Sequence, residues 1–268
     1  MNKKIIVFDL DGTLLNSTKE IPEKSVEIIK QLYGKGHQFI LATARPLRTA
    51  SKFAQRLHIP VLLILQNGAC YFNTDNELVS NYLDKELVIS IVEFILKHDA
   101  DSAVSIMSND EWYTISDYDY ASFYRSIDIT PEKITKEELY TYPCTKILVN
   151  NTDKGMKIKE TFYDKALVIL TDTNALVQIM SKSASKEAVL AKILVERQKT
   201  KEDVICFGDD YNDIGMFTIA GYSFAMGNSI QELKDIADYV ADTNDDDGIY
   251  NFFTSVQWDE VENGGKNE

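Results

Sequence analysis

Cysteine is scarce in this 268-residue chain: Cys70, Cys144 and Cys206 are odd in number, scattered and without metal-type spacing. That excludes a disulfide framework and leaves three small side chains for the interior. No apolar stretch approaches the ~18 residues that a bilayer span needs. The amino terminus, MNKKIIVFDLDG, passes from two lysines into only four apolar residues before an aspartate. Neither a membrane anchor nor a secretory leader fits, so a cytoplasmic protein is expected.

Basic runs are also missing. With 28 Lys and Arg against 42 Asp and Glu, the formal net charge is −14, which excludes nucleic acid and anionic membranes as partners and is compatible with a bound divalent cation. His37, His58 and His98 stand beside no motif and are assigned no catalytic role. Neither an internal repeat nor a low-complexity segment interrupts the chain.

What is present is an alternation of short apolar runs and amphipathic segments. KIIVFD, QFILAT and VLLILQNG are separated by EKSVEIIKQLYGKG and RTASKFAQRLHI, the pattern of parallel strands covered on both faces. Gly34 and Gly36 are expected to end the first helix in left-handed backbone. The rhythm resumes near residue 183 with SKEAVLAKILVERQ, whose apolar positions are Val189, Leu190, Ile193 and Leu194, and continues through DVICFGDD, IGMFTIAG, YSFAMG and ADYVAD. Between these stretches the texture changes to locally paired strands, AVSIMS and EWYTI with Asn109 and Asp110 at their turn, then TKILVN, ALVILT and ALVQIM. The fold class expected is α/β: a doubly wound, mostly parallel sheet formed by residues 1–81 and 183–268, with a smaller α+β domain inserted at 82–182.

In open parallel sheets ligands bind beyond the carboxyl ends of the strands. Three apolar runs here end in polar residues: Asp9 and Asp11 after KIIVF, Thr43 after FILA, and Asp209 and Asp210 after VICFG. Bringing the first and last of these together gathers several carboxylates, which repel one another unless a cation lies among them. Oxygen ligands without histidine or cysteine favour Mg²⁺ over zinc. Taken singly, each aspartate is also explained as a helix cap or turn residue.

Asp9-Leu10-Asp11-Gly12-Thr13, placed after a buried strand and joined by the other strand ends, resembles the first motif of the haloacid dehalogenase superfamily of phosphohydrolases. Thr43 in LATARP matches the second motif, although Ala44 stands where the family often has glycine. Lys186 in SASKEAVL matches the third, with Lys182 a weaker competitor. GDDYND, Gly208–Asp213, matches the fourth. Only 31 residues separate Asp11 from Thr43, whereas 142 separate Thr43 from Lys186, so the inserted domain resembles a cap of the later-inserted, C2 (IIB) kind. With NGA at Asn67–Ala69 and AMGNS at Ala225–Ser229, the chain resembles the Cof-like branch of small-molecule phosphatases.

The resemblance implies a Mg²⁺-dependent phosphatase of a small phosphorylated metabolite, a sugar phosphate first among the classes. Asp9 is then the nucleophile and a metal ligand, and Asp11 the acid and base that also offers its carbonyl to the metal. Asp209 completes the metal set, with Asp213 and Asp210 behind it and Asp213 directed at Lys186 or the metal's waters. Thr43, Lys186, Asn212 and the amides of Leu10 and Ala44 hold the phosphate. A phosphomutase with the same aspartyl-phosphate, or a catalytically silent binding protein on the same fold, are the alternatives.

Four further features carry expectations. Arg45 either anchors the crevice through a carboxylate or forms a surface ion pair. Trp112, Tyr113, Tyr118, Tyr120 and Tyr124 are expected to pack the cap rather than form a specificity surface. DTNDDDG, Asp242–Gly248, lacks the closing glutamate of a calcium loop and is expected to be a solvated turn before a last helix, and WDEVENGGKNE a frayed tail.

Overall fold

The apolar run after the amino terminus forms strand β1 (Ile5–Phe8), all four of whose side chains are buried. Helix α1 (Glu23–Gly34) covers it with Val26, Ile28, Ile29 and Leu32 turned inward. Strand β2 (Gln38–Ala42), helix α2 (Leu47–Leu57) and strand β3 (Leu62–Leu65) continue the alternation, and the short strands β4 (Cys70–Phe72) and β5 (Leu78–Ser80) follow. Of the two glycines at the end of α1, only Gly36 is left-handed, at φ +96°; Gly34 is the last helical residue and not the left-handed one expected. The computed structural model describes residues 3–123, 129–171 and 176–263.

The middle of the chain comprises helix α3 (Lys85–His98), strands β6 (Ala103–Ser108) and β7 (Glu111–Thr114), helix α4 (Tyr120–Phe123), strand β8 (Glu132–Lys133), helix α5 (Lys136–Leu139), strand β9 (Lys146–Asn150), helix α6 (Gly155–Phe162) and strands β10 (Leu167–Thr171) and β11 (Leu176–Met180). Its sheet has the order β10-β11-β9-β6-β7-β8. Alternation sorts each strand's side chains to two faces. Val104, Ile106, Ile147, Val149, Val177 and Ile179 meet the apolar faces of α3 and α6 in one cluster. Ala103, Met107, Trp112, Leu148 and Leu176 form a second cluster with Tyr120. The hairpin between β6 and β7 turns at Asn109, whose φ of 56° suits asparagine.

Aromatic residues here do pack: Trp112 meets Tyr120 edge-on at 5.1 Å, Tyr118 meets Tyr120 at 5.0 Å, and Tyr113 stacks on Tyr142 at 4.2 Å. Tyr124 lies outside the described residues. All three cysteines are free and buried, and burial pushes the Cys144 thiol up to about 12.

Helix α7 (Lys186–Glu196) reopens the first pattern and buries Val189, Leu190, Ile193 and Leu194. Strand β12 (Val204–Gly208), helix α8 (Ile214–Ile219), strand β13 (Tyr222–Ala225), helix α9 (Gln231–Ile236), strand β14 (Tyr239–Val240) and helices α10 (Gly248–Phe253) and α11 (Val256–Asn263) complete the chain. The large sheet runs β14-β13-β12-β1-β2-β3-β4-β5, parallel from β14 to β3 and antiparallel from β3 to β4. The chain thus has a doubly wound α/β core with an inserted α+β cap. Two units are distinguished: Met1–Arg45, Ala50–Leu78 and Ser185–Glu268 form one, and Pro46–Thr49 with Val79–Ala184 the other.

One expectation for the carboxyl-terminal region is corrected. Residues 256–263 are not frayed but helical, because Trp258 is an apolar anchor: it is buried against Phe253 at 4.9 Å and His37 at 5.5 Å, and Val261 is fully buried; the rest of the expected tail, 264–268, lies outside the described residues. The acidic segment is, as expected, an exposed turn before a helix, and it is tied down as well. Asp245 accepts from the Ser17 amide at 2.8 Å and Asp247 pairs with Lys24 at 2.7 Å, so charges on the turn latch two earlier segments. Trp258→Ala should lower the unfolding free energy by about 3–5 kcal/mol in urea denaturation, the usual cost of emptying a buried aromatic site; a loss under about 1 kcal/mol would mean that the helix adds little to the core.

Candidate active site

The register of β1 against β12 pairs Phe8 with Phe207, so the residues that follow each strand, Asp9 and then Asp209, emerge at the same carboxyl edge of the sheet. The Asp9 amide continues the ladder by donating to the Phe207 carbonyl at 3.1 Å. Beyond Asp9 the chain must turn against the Asp209 side chain. Gly12 makes this possible: its φ is +85°, and a Cβ there would lie 2.1 Å from Asp209 Oδ2. Thr13 Oγ1 donates to Asp209 Oδ1 at 2.9 Å, and Asn228 Nδ2, from the AMGNS segment, donates to the Gly12 carbonyl at 2.8 Å.

Lys186 is the first residue of α7, whose start is capped by Ser185 Oγ accepting from the Ala188 amide at 3.2 Å. Its ammonium is fully buried and donates to Asp9 Oδ1 at 2.5 Å and Asp213 Oδ1 at 2.7 Å. Asp213 is held from its other side, because Oδ2 accepts from the amides of Asp209 at 3.0 Å and Asp210 at 3.2 Å. Burial works against the Lys186 charge, but Asp213 and Asp9 outweigh it and raise its pKa. An isolated buried ammonium would lose its proton; this one keeps it.

The carboxylates are less well compensated. Oxygens of Asp9, Asp209 and Asp213 all lie within 4.8 Å of one another. Three carboxylates against one ammonium leave two negative charges, which is the charge of one divalent cation. Burial raises the Asp9 carboxyl well above the usual range despite Lys186, and burial with the Asp213 charge pushes Asp209 up to about 7. Hard oxygen donors suit a hard cation. Nearby Cys206 offers no thiolate to a softer one, since burial pushes its thiol up. The cluster therefore fits a divalent metal.

Asp11 has the opposite environment. Arg45 grips it with two hydrogen bonds, Nε to Oδ2 at 2.6 Å and Nη2 to Oδ1 at 2.7 Å, and Lys19 Nζ adds a third at 2.9 Å. Burial raises this carboxyl, but Arg45 and then Lys19 overcome it and carry its pKa down to about 2. Arg45 is thus the crevice anchor rather than a surface pair. Lys19 has no sequence signal beyond its proximity to the motif.

The remaining sequence-derived residues fall around this group. Leu10 is buried between the two aspartates. Thr43, just past β2, is buried, and its hydroxyl accepts from the Arg45 amide at 3.1 Å; Ala44 between them is half-buried. Asn212 is half-buried in the turn after β12, with Nδ2 donating to Asn67 Oδ1 at 3.0 Å. Asp210 is exposed and caps that turn, accepting from the Tyr211 amide at 2.8 Å. Gly12, Thr13, Lys19, Asn67 and Asn228 join the group through contacts that sequence pattern alone does not display, although Asn67-Gly68 after a strand is a readable left-handed turn signal.

A sheet edge with this carboxylate and lysine constellation defines a family, and residues 6–253 match the model of the haloacid dehalogenase-like hydrolases. The chain belongs to that family. It is 29% identical over 252 residues, 92% of each chain, to the 5-amino-6-(5-phospho-D-ribitylamino)uracil phosphatase YcsE of Bacillus subtilis, and 28% identical over 238 residues to a putative phosphatase of Buchnera aphidicola, covering 86% of this chain and 88% of that one. Among solved structures, TM0651 of Thermotoga maritima superposes with a TM-score of 0.82 at 25% identity, covering 99% of this chain and 98% of its own. BT4131, a haloacid dehalogenase subclass IIB sugar phosphatase, shares the fold with a TM-score of 0.81 at 21% identity, covering 97% and 100%. The protein is a phosphoric monoester hydrolase. No helix among the described residues is long and apolar enough to cross a membrane.

The raised Asp209 pKa gives a testable linkage. Between the unfolded value near 3.8 and the folded value of about 7, the folded, metal-free protein keeps a proton that the unfolded chain has released, so its stability falls as pH rises through that window. A divalent cation bound to this cluster would displace that proton. Calorimetric titration with MgCl₂ in buffers of different ionisation enthalpy should show proton release at about pH 6 that fades above about pH 8. Asp209→Asn should reduce this release, leaving what the raised Asp9 carboxyl contributes; binding without proton exchange at the lower pH in the unsubstituted protein would contradict the linkage.

Proposed function

We propose that the protein is a Mg²⁺-dependent phosphatase of a small phosphorylated metabolite, a sugar or sugar-alcohol phosphate, acting through an aspartyl-phosphate on Asp9. The observation that carries this reading is the buried Lys186 bridge between Asp9 and Asp213 with Asp209 beside it. The substrate class is supported by the curated relatives, of which YcsE and YitU of Bacillus subtilis are both named for a 5-phosphoribitylamino compound, the ester of a sugar-alcohol chain.

A phosphate monoester dianion repels an attacking carboxylate, so positive charge is the first requirement. Mg²⁺ held by the Asp9 and Asp209 carboxylates and the Asp11 carbonyl supplies it when bound. Lys186, the Thr43 hydroxyl, the Asn212 amide and the Leu10 and Ala44 backbone amides hold the phosphate oxygens. Asp9 attacks phosphorus in line as the ester oxygen departs, and the proton of Asp11 passes to that oxygen. Water then attacks the aspartyl-phosphate, loses its proton to Asp11, and inorganic phosphate and the free Asp9 carboxylate are restored.

Paired with Arg45 and Lys19, Asp11 is ionised and ready to accept a proton. To donate one it must first release Arg45 and Lys19 and take up a proton from solvent, so the leaving-group step is coupled to breaking those pairs. Neither a mutase nor a silent binding role has an observation in its favour here.

A phosphate-release screen across sugar phosphates, sugar-alcohol phosphates and nucleotides, with Mg²⁺ or with chelator, tests the reading. Asp9→Asn should lower Mg²⁺-dependent release by at least about a thousandfold while the fold, followed by circular dichroism, persists. Substrate loss giving isomerised ester without stoichiometric phosphate would assign a mutase instead. Turnover that survives the substitution would remove Asp9 as the nucleophile.

A further inference from the structure

The turn joining β3 to β4 holds three consecutive left-handed residues: Gln66 at φ 51°, Asn67 at 58° and Gly68 at 92°. For residues other than glycine this conformation costs on the order of 1 kcal/mol or more each and persists only where its surroundings hold it. Those surroundings are the motif loops. The Gln66 amide donates to the Arg45 carbonyl at 3.0 Å, and the Asn67 amide to the Thr43 carbonyl at 2.9 Å. At Gly68 a Cβ would lie 2.4 Å from the Ser185 carbonyl oxygen, next to Lys186. A side-chain link from this turn to the fourth motif is Asn67 Oδ1, which accepts from Asn212 Nδ2 at 3.0 Å.

We propose that Asn67 is a positioning residue that holds the Asn212 carboxamide with an N–H toward the phosphate. The inference rests on the reading of Asn212 as a phosphate-holding residue. A carboxamide nitrogen carries two hydrogens and its oxygen none. With one hydrogen given to Asn67, the second remains for a phosphate oxygen, and rotation that would present the Asn212 carbonyl to the anion sacrifices the bond to Asn67. Asn67 is buried, 2% exposed, and its backbone is anchored through Thr43, so the acceptor itself does not drift. Asparagine meets both demands at once, since it tolerates left-handed backbone and carries the acceptor.

Glycine at the same position separates them: Asn67→Gly keeps the backbone conformation and deletes the amide. The dissociation constant of inorganic phosphate in the presence of Mg²⁺, measured by calorimetry, is the readout, with a thermal midpoint for each variant to follow folding. Asn67→Gly and Asn212→Ala should each weaken phosphate by about tenfold, and the double variant by no more than either alone, because the first acts only through the second. Asn67→Ser, whose hydroxyl lies closer to its own backbone, should repeat the effect of glycine. Additive losses of about a hundredfold in the double variant, or unchanged phosphate affinity in Asn67→Gly while Asn212→Ala is weakened, would overturn the positioning role alone. Unchanged affinity in Asn212→Ala would remove Asn212 from the phosphate site and overturn the inference with it.

Discussion

The Lys186 ammonium, buried between Asp9 and Asp213, is the interaction on which the rest of the site depends. A charge taken out of water is tolerated only with well-placed partners, and here every partner comes from a different segment: Asp9 directly follows β1, the turn before α8 carries Asp213, and α7 begins with the lysine. None of the three can shift without exposing an unpaired charge to an apolar interior. Such a bridge contributes little net stability compared with well-packed apolar residues; what it secures is geometry. It holds the first motif strand, the third motif helix and the fourth motif turn in one arrangement.

Backbone constraint supplies the second half of that geometry. Gly12 and Gly68 are places where a side chain would collide, with the Asp209 carboxylate in one case and the Ser185 carbonyl in the other. Both allow a loop to come close to a functional segment. The sheet then makes these loops rigid at their roots, since Asp9 and Asp209 follow neighbouring paired strands.

Much of this was legible in the chain. Buried strands followed by the polar residues Asp9, Thr43 and Asp209 give themselves away because together they gather at one edge of a parallel sheet, and Lys186 stands out by opening an apolar helix. Long-range partnerships were not legible. Asn67 and Asn212 are 145 residues apart, and Asn228 meets Gly12 across 216. Periodicity shows which face of an element is apolar, but not which amide oxygen meets which carbonyl across the fold. Trp258 was hidden for a related reason: a single aromatic in an acidic segment has no pattern, and only the pocket formed by His37, Phe252 and Phe253 makes it an anchor.

Asp9 and Asp11 show how far environment separates identical side chains one residue apart. Asp9 is buried among carboxylates, with Lys186 shared between it and Asp213, and its pKa is raised. Asp11 is partly exposed and meets two cations of its own, and its pKa is lowered. In the proposed mechanism Asp9 must be anionic when it attacks, and its raised value means that a cation joining the cluster would favour that charge. Asp11, proposed to exchange a proton during turnover, would need a change of partner to do so, because its value is lowered. Arg45 is suited to that change: its backbone amide is tied to Thr43, while its guanidinium holds Asp11 from an accessible edge. On the proposed mechanism, Asp9 would wait on a metal and Asp11 on the release of an arginine, so both carboxyl groups of the first motif would depend on ligand binding.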